Sequence, residues 1–201
     1  MKKLSSVLAL SLVTLSACGG GATGPNPSSS AAPAAGKVLV WSGTAHRTMR
    51  TQLGMLDSTT TWEISNVTWV RDDDEVSGLA GQTLYKLGSG HVKVTIRQVT
   101  GPCVVTGETA FDLKPGDGNL VVGAGVYGGA ITRRDGDEVR VTGDCGYGPG
   151  SANILDRLGL PIDSADDSAK SANRLRGTKT QTIAASTHVS TWDFVASAWE
   201  P

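Results

Sequence analysis

Residues His91–Val99 read HVKVTIRQV, the cleanest alternation in the chain. Val92, Val94 and Ile96 fall on one side of an extended backbone, while His91, Lys93, Thr95 and Arg97 fall on the other. Successive side chains of a strand project to opposite faces, so this stretch predicts a half-buried β-strand. Its valines and isoleucine face a core, and its charges face water.

The same texture spreads outward from it. Lys37–Ser42 (KVLVWS), Thr60–Val70 (TTWEISNVTWV), Cys103–Leu113, Asn119–Val122, Val126–Thr132, Glu138–Thr142 and Val189–Ala196 are short runs rich in β-branched or aromatic residues. Gly, Asp and Pro divide them. In the last run Trp192, Phe194 and Ala196 share a face. Pro115-Gly116-Asp117-Gly118 reads as a turn between strands. Asp135-Gly136 reads as a two-residue hairpin turn, whose central positions both need positive φ. Short strands at intervals of about ten residues predict an all-β fold, an antiparallel sandwich or barrel, rather than a βαβ arrangement. Two stretches carry helical signals. Ser151–Leu158 places Ile154, Leu155 and Leu158 at helical spacing. Ser164–Arg176 is either a loop or a helix capped by Ser164, with Asp166 and Asp167 in its first turn.

Thr60–Val70 holds a conflict. Trp62 and Ile64 lie on one phase, Val67 and Trp69 on the other, which predicts a β-bulge or tight turn near Ser65-Asn66. Either the bulge turns both tryptophans inward, or one stays exposed to contact a sugar or protein. Trp62 and Trp69 are therefore the candidate ligand contacts.

The chain has 201 residues, enough for one domain with appendages. Its 18 basic and 19 acidic side chains give a formal charge of −1, which argues against nucleic-acid binding. A hydrophobic fraction of 39 % suffices for a core. Three cysteines, an odd number, require an explanation.

The first belongs to the leader MKKLSSVLALSLVTLSAC, residues 1–18. Lys2 and Lys3 precede an apolar run, Val7 to Leu15, that is too short to span a bilayer as a helix. Leu15-Ser16-Ala17-Cys18 matches the lipobox L-[AS]-[AG]-C, and the segment resembles the signal peptide of bacterial lipoproteins. That resemblance implies cleavage before Cys18, a diacylglycerol thioether on its sulfur, and acylation of the new amino terminus. Two or three acyl chains make a stable anchor. It also implies residence on the exported side of the cell envelope. Gly19, standing where an Asp would retain some lipoproteins at the inner membrane, favours the outer membrane of a diderm cell. Loss of Lys2 and Lys3 leaves 16 basic against 19 acidic side chains, a formal −3, so electrostatic adhesion to anionic lipid is not a second anchor. Residues 19–36 (GGGATGPNPSSSAAPAAG) contain no bulky apolar side chain and predict a flexible tether. The domain organisation is thus a signal peptide (1–17), a lipidated Cys18 with tether (18–36), and one all-β domain (37–201).

Cys103 and Cys145 remain, and an oxidising envelope predicts that an even pair is bridged. A loop of about 43 residues so closed adds roughly 4 kcal/mol in the chain-entropy account. The alternatives are a metal site or a catalytic thiol. Neither cysteine sits in a C-x-x-C, and His46, His91 and His188 are scattered.

Other motifs carry less. Gly123-Ala-Gly125-Val-Tyr-Gly128 spells G-x-G-x-x-G, but no helix is predicted after it to face a pyrophosphate. Asp72-Asp73-Asp74-Glu75 lacks calcium-loop spacing and reads as a solvated turn, and Asp112, Asp117, Asp135 and Asp137 read likewise. No G-x-S-x-G elbow occurs. Paired carboxylates on different strands would leave no local signature.

The globular part also resembles a loosely defined set of bacterial secreted all-β domains. The shared features are Trp41-Ser42-Gly43, Thr61–Ile64, Thr68–Asp72, a central cysteine pair and Thr191–Phe194. This implies a fold and no chemistry.

The sequence therefore predicts a lipid-anchored cell-envelope protein whose domain is a non-catalytic binding or structural module. No catalytic residue, metal or cofactor is assigned. Its partners are the membrane, through the anchor, and an envelope glycan or protein. The alternatives are a secreted hydrolase of envelope polymers, or an inhibitor or assembly factor docking on an envelope partner.

Overall fold

Eleven strands follow one another: β1 (Val38–Leu53), β2 (Leu56–Arg71), β3 (Thr83–Thr100), β4 (Cys103–Leu113), β5 (Gly118–Val122), β6 (Tyr127–Thr132), β7 (Glu138–Gly143), β8 (Gly150–Asn153), β9 (Gly159–Asp163), β10 (Arg174–Ile183) and β11 (Ser186–Trp199). The structure is a computed structural model. It describes residues 38–73, 81–123, 125–132, 138–143, 150–153, 158–167, 171 and 173–199. The leader, the tether and Cys18 lie outside the described residues.

All strands join one antiparallel sheet in the order β10-β11-β1-β2-β3. There the sheet forks. The first part of β3, Thr83–Lys86, pairs with β5, which continues through β6 to β9. The later part, Gly90–Thr100, pairs with β4, which continues through β7 to β8. The first branch curls back on β10 and makes the sheet a nearly closed barrel. No ladder joins β9 to β10. The 3-10 turn Ser164–Asp166 and the single bridge Asp167–Gly177 fill that seam. Lys179 of β10 adds ion pairs to Asp163 (3.3 Å) and Asp166 (3.2 Å).

Alternation builds the core. Val92 and Val94 of β3 are fully buried while His91 and Lys93 are exposed. They pack with Trp41, Trp62, Ile64, Trp69, Tyr85 and Phe194. Trp41 meets Tyr85 edge-on (centroids 6.3 Å apart), and Trp69 meets Phe194 likewise (5.9 Å), the arrangement ring quadrupoles favour.

The conflict in β2 resolves as a bulge. Its pairing with β3 steps from Ser65–His91 to Thr68–Ser89, so β2 carries one extra residue there. Asn66 has φ of 53°, the left-handed conformation asparagine tolerates better than most residues. The extra residue switches the phase of the strand, and Trp62 and Trp69 both turn inward. On β1, opposite, Gly43 is wedged against the next strand. A Cβ there would overlap the Asp193 carbonyl.

Three expectations are corrected. The helical reading of Ser151–Leu158 fails where it is described, since Ser151–Asn153 belong to β8. The helical alternative for Ser164–Arg176 fails as well: its described residues include one 3-10 turn, capped by Asp163 rather than Ser164, and the start of β10, and the described residues contain no α-helix. Asp135-Gly136 lies outside the described residues, and the strands on either side of it, β6 and β7, are not paired with each other as a hairpin requires. β6 pairs with β5 and β9, and β7 with β4 and β8. The turn at Pro115–Gly118 stands, with Gly116 at φ 98° and the Asp117 amide donating to the Lys114 carbonyl. Gly123 and Gly125 likewise serve the turn from β5 into β6, a strand rather than a phosphate-facing helix.

Candidate functional site

Tryptophans 62 and 69, the candidate ligand contacts, are 1 % and 0 % exposed and line the core. They offer no surface to a ligand. The Arg47 guanidinium stands 5.3 Å over the Trp62 ring. Arg47 also donates to the Gly159 carbonyl and to Nδ1 of His188 (2.8 Å), so a carbonyl, an imidazole and a π-face help to hold this buried cation. Cys103 opens β4 and is disulfide-bonded, so it carries no free thiol. Cys145 lies outside the described residues. Of the acidic run, the nearly buried Asp72 pairs with Lys86 (2.6 Å) and the exposed Asp73 with Arg71 (2.7 Å), while Asp74 and Glu75 lie outside the described residues. Among the described residues no group of His, Cys, Asp and Glu could hold a metal ion.

A concave surface lies instead on the outer face of β10-β11-β1-β2. An open groove of about 510 Å³ runs across these four strands, a volume in the range of ligand clefts. Register fixes its lining. Arg176, Asp193 and Thr44 stand side by side in one row across three strands. Thr178, Thr191, His46 and Glu63 form the next row across four. Ser65 borders it at the bulge. Bulges recur where a sheet must be bent beside a site.

Electrostatics separates this groove from its surroundings. Along the same outer face Lys93 pairs with Glu108 (3.0 Å) and His91 with Asp112 (2.8 Å). At the groove's edge Arg174 grips Asp193 through two hydrogen bonds of 2.7 and 2.6 Å. Those bonds hold the Asp193 carboxyl below the usual carboxylate range. The side chains of His46, Glu63 and Arg176 form no hydrogen bond or ion pair with any described residue. The groove thus presents one cation, one anion, one imidazole and four hydroxyls, from Thr44, Ser65, Thr178 and Thr191, with their capacity unspent.

This site left only a faint trace in the sequence. Its residues come from four strands, two of them from the end of the chain, and β10 shows no apolar alternation. The clue was the Thr/Ser density of Thr178–Thr182 and Thr187–Thr191. No protein family, curated protein or solved structure matches the chain.

Proposed function

We propose that the chain is a lipid-anchored cell-envelope protein whose barrel is a non-catalytic binding module, with the β10-β11-β1-β2 groove as its contact surface for a hydroxyl-bearing envelope polymer. The groove's three unpartnered side chains carry the reading. Ordinary surface charges are hydrated and cost nothing to leave alone. Here an acceptor, a donor and an imidazole converge on a trough floored by hydroxyls, the mixed set that hydrogen-bonds alternating sugar hydroxyls and amides. An open trough also admits a strand passing through it. The lipobox at Leu15–Cys18 and the polar segment 19–36 support anchoring at a distance from the membrane. With Cys18 assigned to lipid, Cys145 is the remaining partner for the bonded Cys103.

Two experiments test this. A palmitate analogue fed to cells should label the chain and fail to label Cys18→Ser; labelling of the variant, or of neither, removes the anchor. Soluble glycan fragments of the envelope should bind the groove, and Glu63→Gln or Arg176→Gln should weaken binding about tenfold. Binding unchanged in both variants moves the site elsewhere.

A second reading has one observation in its favour. Thr191, His46 and Glu63 stand in a row as hydroxyl, imidazole and carboxylate, the residue types of a nucleophile, its base and an orienting acid. They make no hydrogen bonds to one another. Turnover of an ester or glycan substrate that His46→Ala abolishes would establish a hydrolase.

A further inference from the structure

Met55 (78 % exposed), Leu53 (67 %) and Ile183 (60 %) are the most exposed of the large apolar side chains described, and all three sit at one end of the barrel. Leu53 ends β1, Met55 lies in the turn that leads into β2, and Ile183 ends β10. Backbone bonds lace the turns together. The Gln52 amide donates to the Ala185 carbonyl (3.2 Å), and the Gly101 amide donates to the Met55 carbonyl (3.4 Å). Three hairpin turns, β10–β11, β1–β2 and β3–β4, therefore form one tip with aliphatic side chains standing out of it.

We propose that this tip inserts into a lipid surface, that of the membrane in which the chain is anchored. Only the choice of membrane rests on the lipoprotein reading of Cys18; insertion itself does not. Three observations select lipid over protein. The described part of the tip carries no Trp, Tyr or Phe side chain, whereas protein interfaces are anchored by Trp, Tyr and Arg seated in pockets. Its collar is largely polar and uncharged. Thr51 and Ser186 share a hydrogen bond (2.7 Å), and behind them Arg50 and Asp57 cancel as a bidentate pair, with Arg97 in the same row as Arg50 adding one further cation. Aliphatic points above a hydrogen-bonding collar match the acyl and headgroup layers of an interface.

Chain length permits the pose. β1 runs 16 residues from Val38 to the tip, roughly 50 Å at ~3.3 Å per residue. The 19 residues between Cys18 and Val38 reach about 65 Å when extended. A lipid anchor diffuses laterally, so it need only match the height of Val38 above the bilayer, and a tilted barrel lowers that height further.

The test uses the chain from residue 18 onward, carrying Cys18→Ser so that no acyl chain is attached, with vesicles of phosphatidylcholine and of phosphatidylglycerol. Co-sedimentation with both, little changed by salt, is expected. Leu53→Ser, Met55→Ser and Ile183→Ser should each lower the partition coefficient about tenfold, since each withdraws two or more carbons from the interface. Val126→Ser, an exposed valine in the turn between β5 and β6, should leave it unchanged. No sedimentation with either vesicle overturns the proposal, as does a triple tip variant that partitions like the parent. Binding confined to phosphatidylglycerol and lost in salt would also overturn it, because charge would then be responsible. Palmitate labelling at Cys18 succeeds or fails independently of these results.

Discussion

Tyr127 donates its phenol hydrogen to Oδ2 of Asp167 across 2.7 Å, and both residues are buried. The same phenol oxygen accepts from the Trp192 indole (3.1 Å). One chain of hydrogen bonds thus ties β6, β11 and the residue that bridges to β10. Tyr127→Phe removes the middle link and should cost about 1–3 kcal/mol, read as a lower urea midpoint with an unchanged slope.

The phenol also predicts alkaline behaviour. Burial, and then its bond to the Asp167 carboxylate, push Tyr127 well above the ordinary phenol range. A group raised on folding contributes stability that is complete below its unfolded pKa and lost as pH rises through its folded one. Stability should therefore fall above about pH 10. Burial raises the Tyr85 phenol as well, so ultraviolet titration should show tyrosines that ionise only as the protein unfolds, with that late amplitude reduced by one tyrosine in Tyr127→Phe.

Carboxylates act in the opposite sense. The Ala165 amide, then Lys179, hold Asp163 below its usual range, and Arg174 does the same to Asp193. Their contribution is present above about pH 4 and lost as pH falls. Both groups lie near water, so each is worth well under ~1 kcal/mol. Carbon-detected titration should place both midpoints below that of free aspartate, and Asp193→Asn should make the acid limb of the stability curve shallower.

Trp62→Ala and Trp69→Ala should each cost roughly 3–5 kcal/mol and should unfold the chain rather than spare its fold while removing a ligand. Calorimetry distinguishes these outcomes. At the bulge, Asn66→Val should cost about 1–2 kcal/mol, because a β-branched residue resists the left-handed conformation that Asn66→Gly would keep.

These core and bulge positions were legible before any coordinates. Alternation in His91–Val99 and the phase conflict around Asn66 are local consequences of a two-residue period, and they survive intact in the fold. β10 was not legible. Its inward positions are Leu175, Gly177, Lys179 and Gln181, so only one apolar side chain marks a face. Lys179 points to the seam because Asp163 and Asp166 await it there, and no pattern within the strand records partners 13 and 16 residues away. The Asp135-Gly136 turn misled for a related reason. Turn chemistry states that the chain bends, whereas the partner of each flanking strand is set by the fork in β3. The groove was hidden for the same cause, since Glu63 and Arg176 become neighbours only through β1 and β11.

The placement of β11 has a consequence for how the chain is made. This last described strand lies between β1 and β10, pairing from Val38–Trp199 to Thr51–Ser186. A polypeptide emerging amino end first can assemble its β2–β3–β4 meander early, but β1 keeps a bare edge until about 150 further residues have appeared. Closure is thereby deferred until β11 has emerged. Strand order alone builds this delay into folding, and truncation of β11 would leave a sticky edge where the barrel should have sealed.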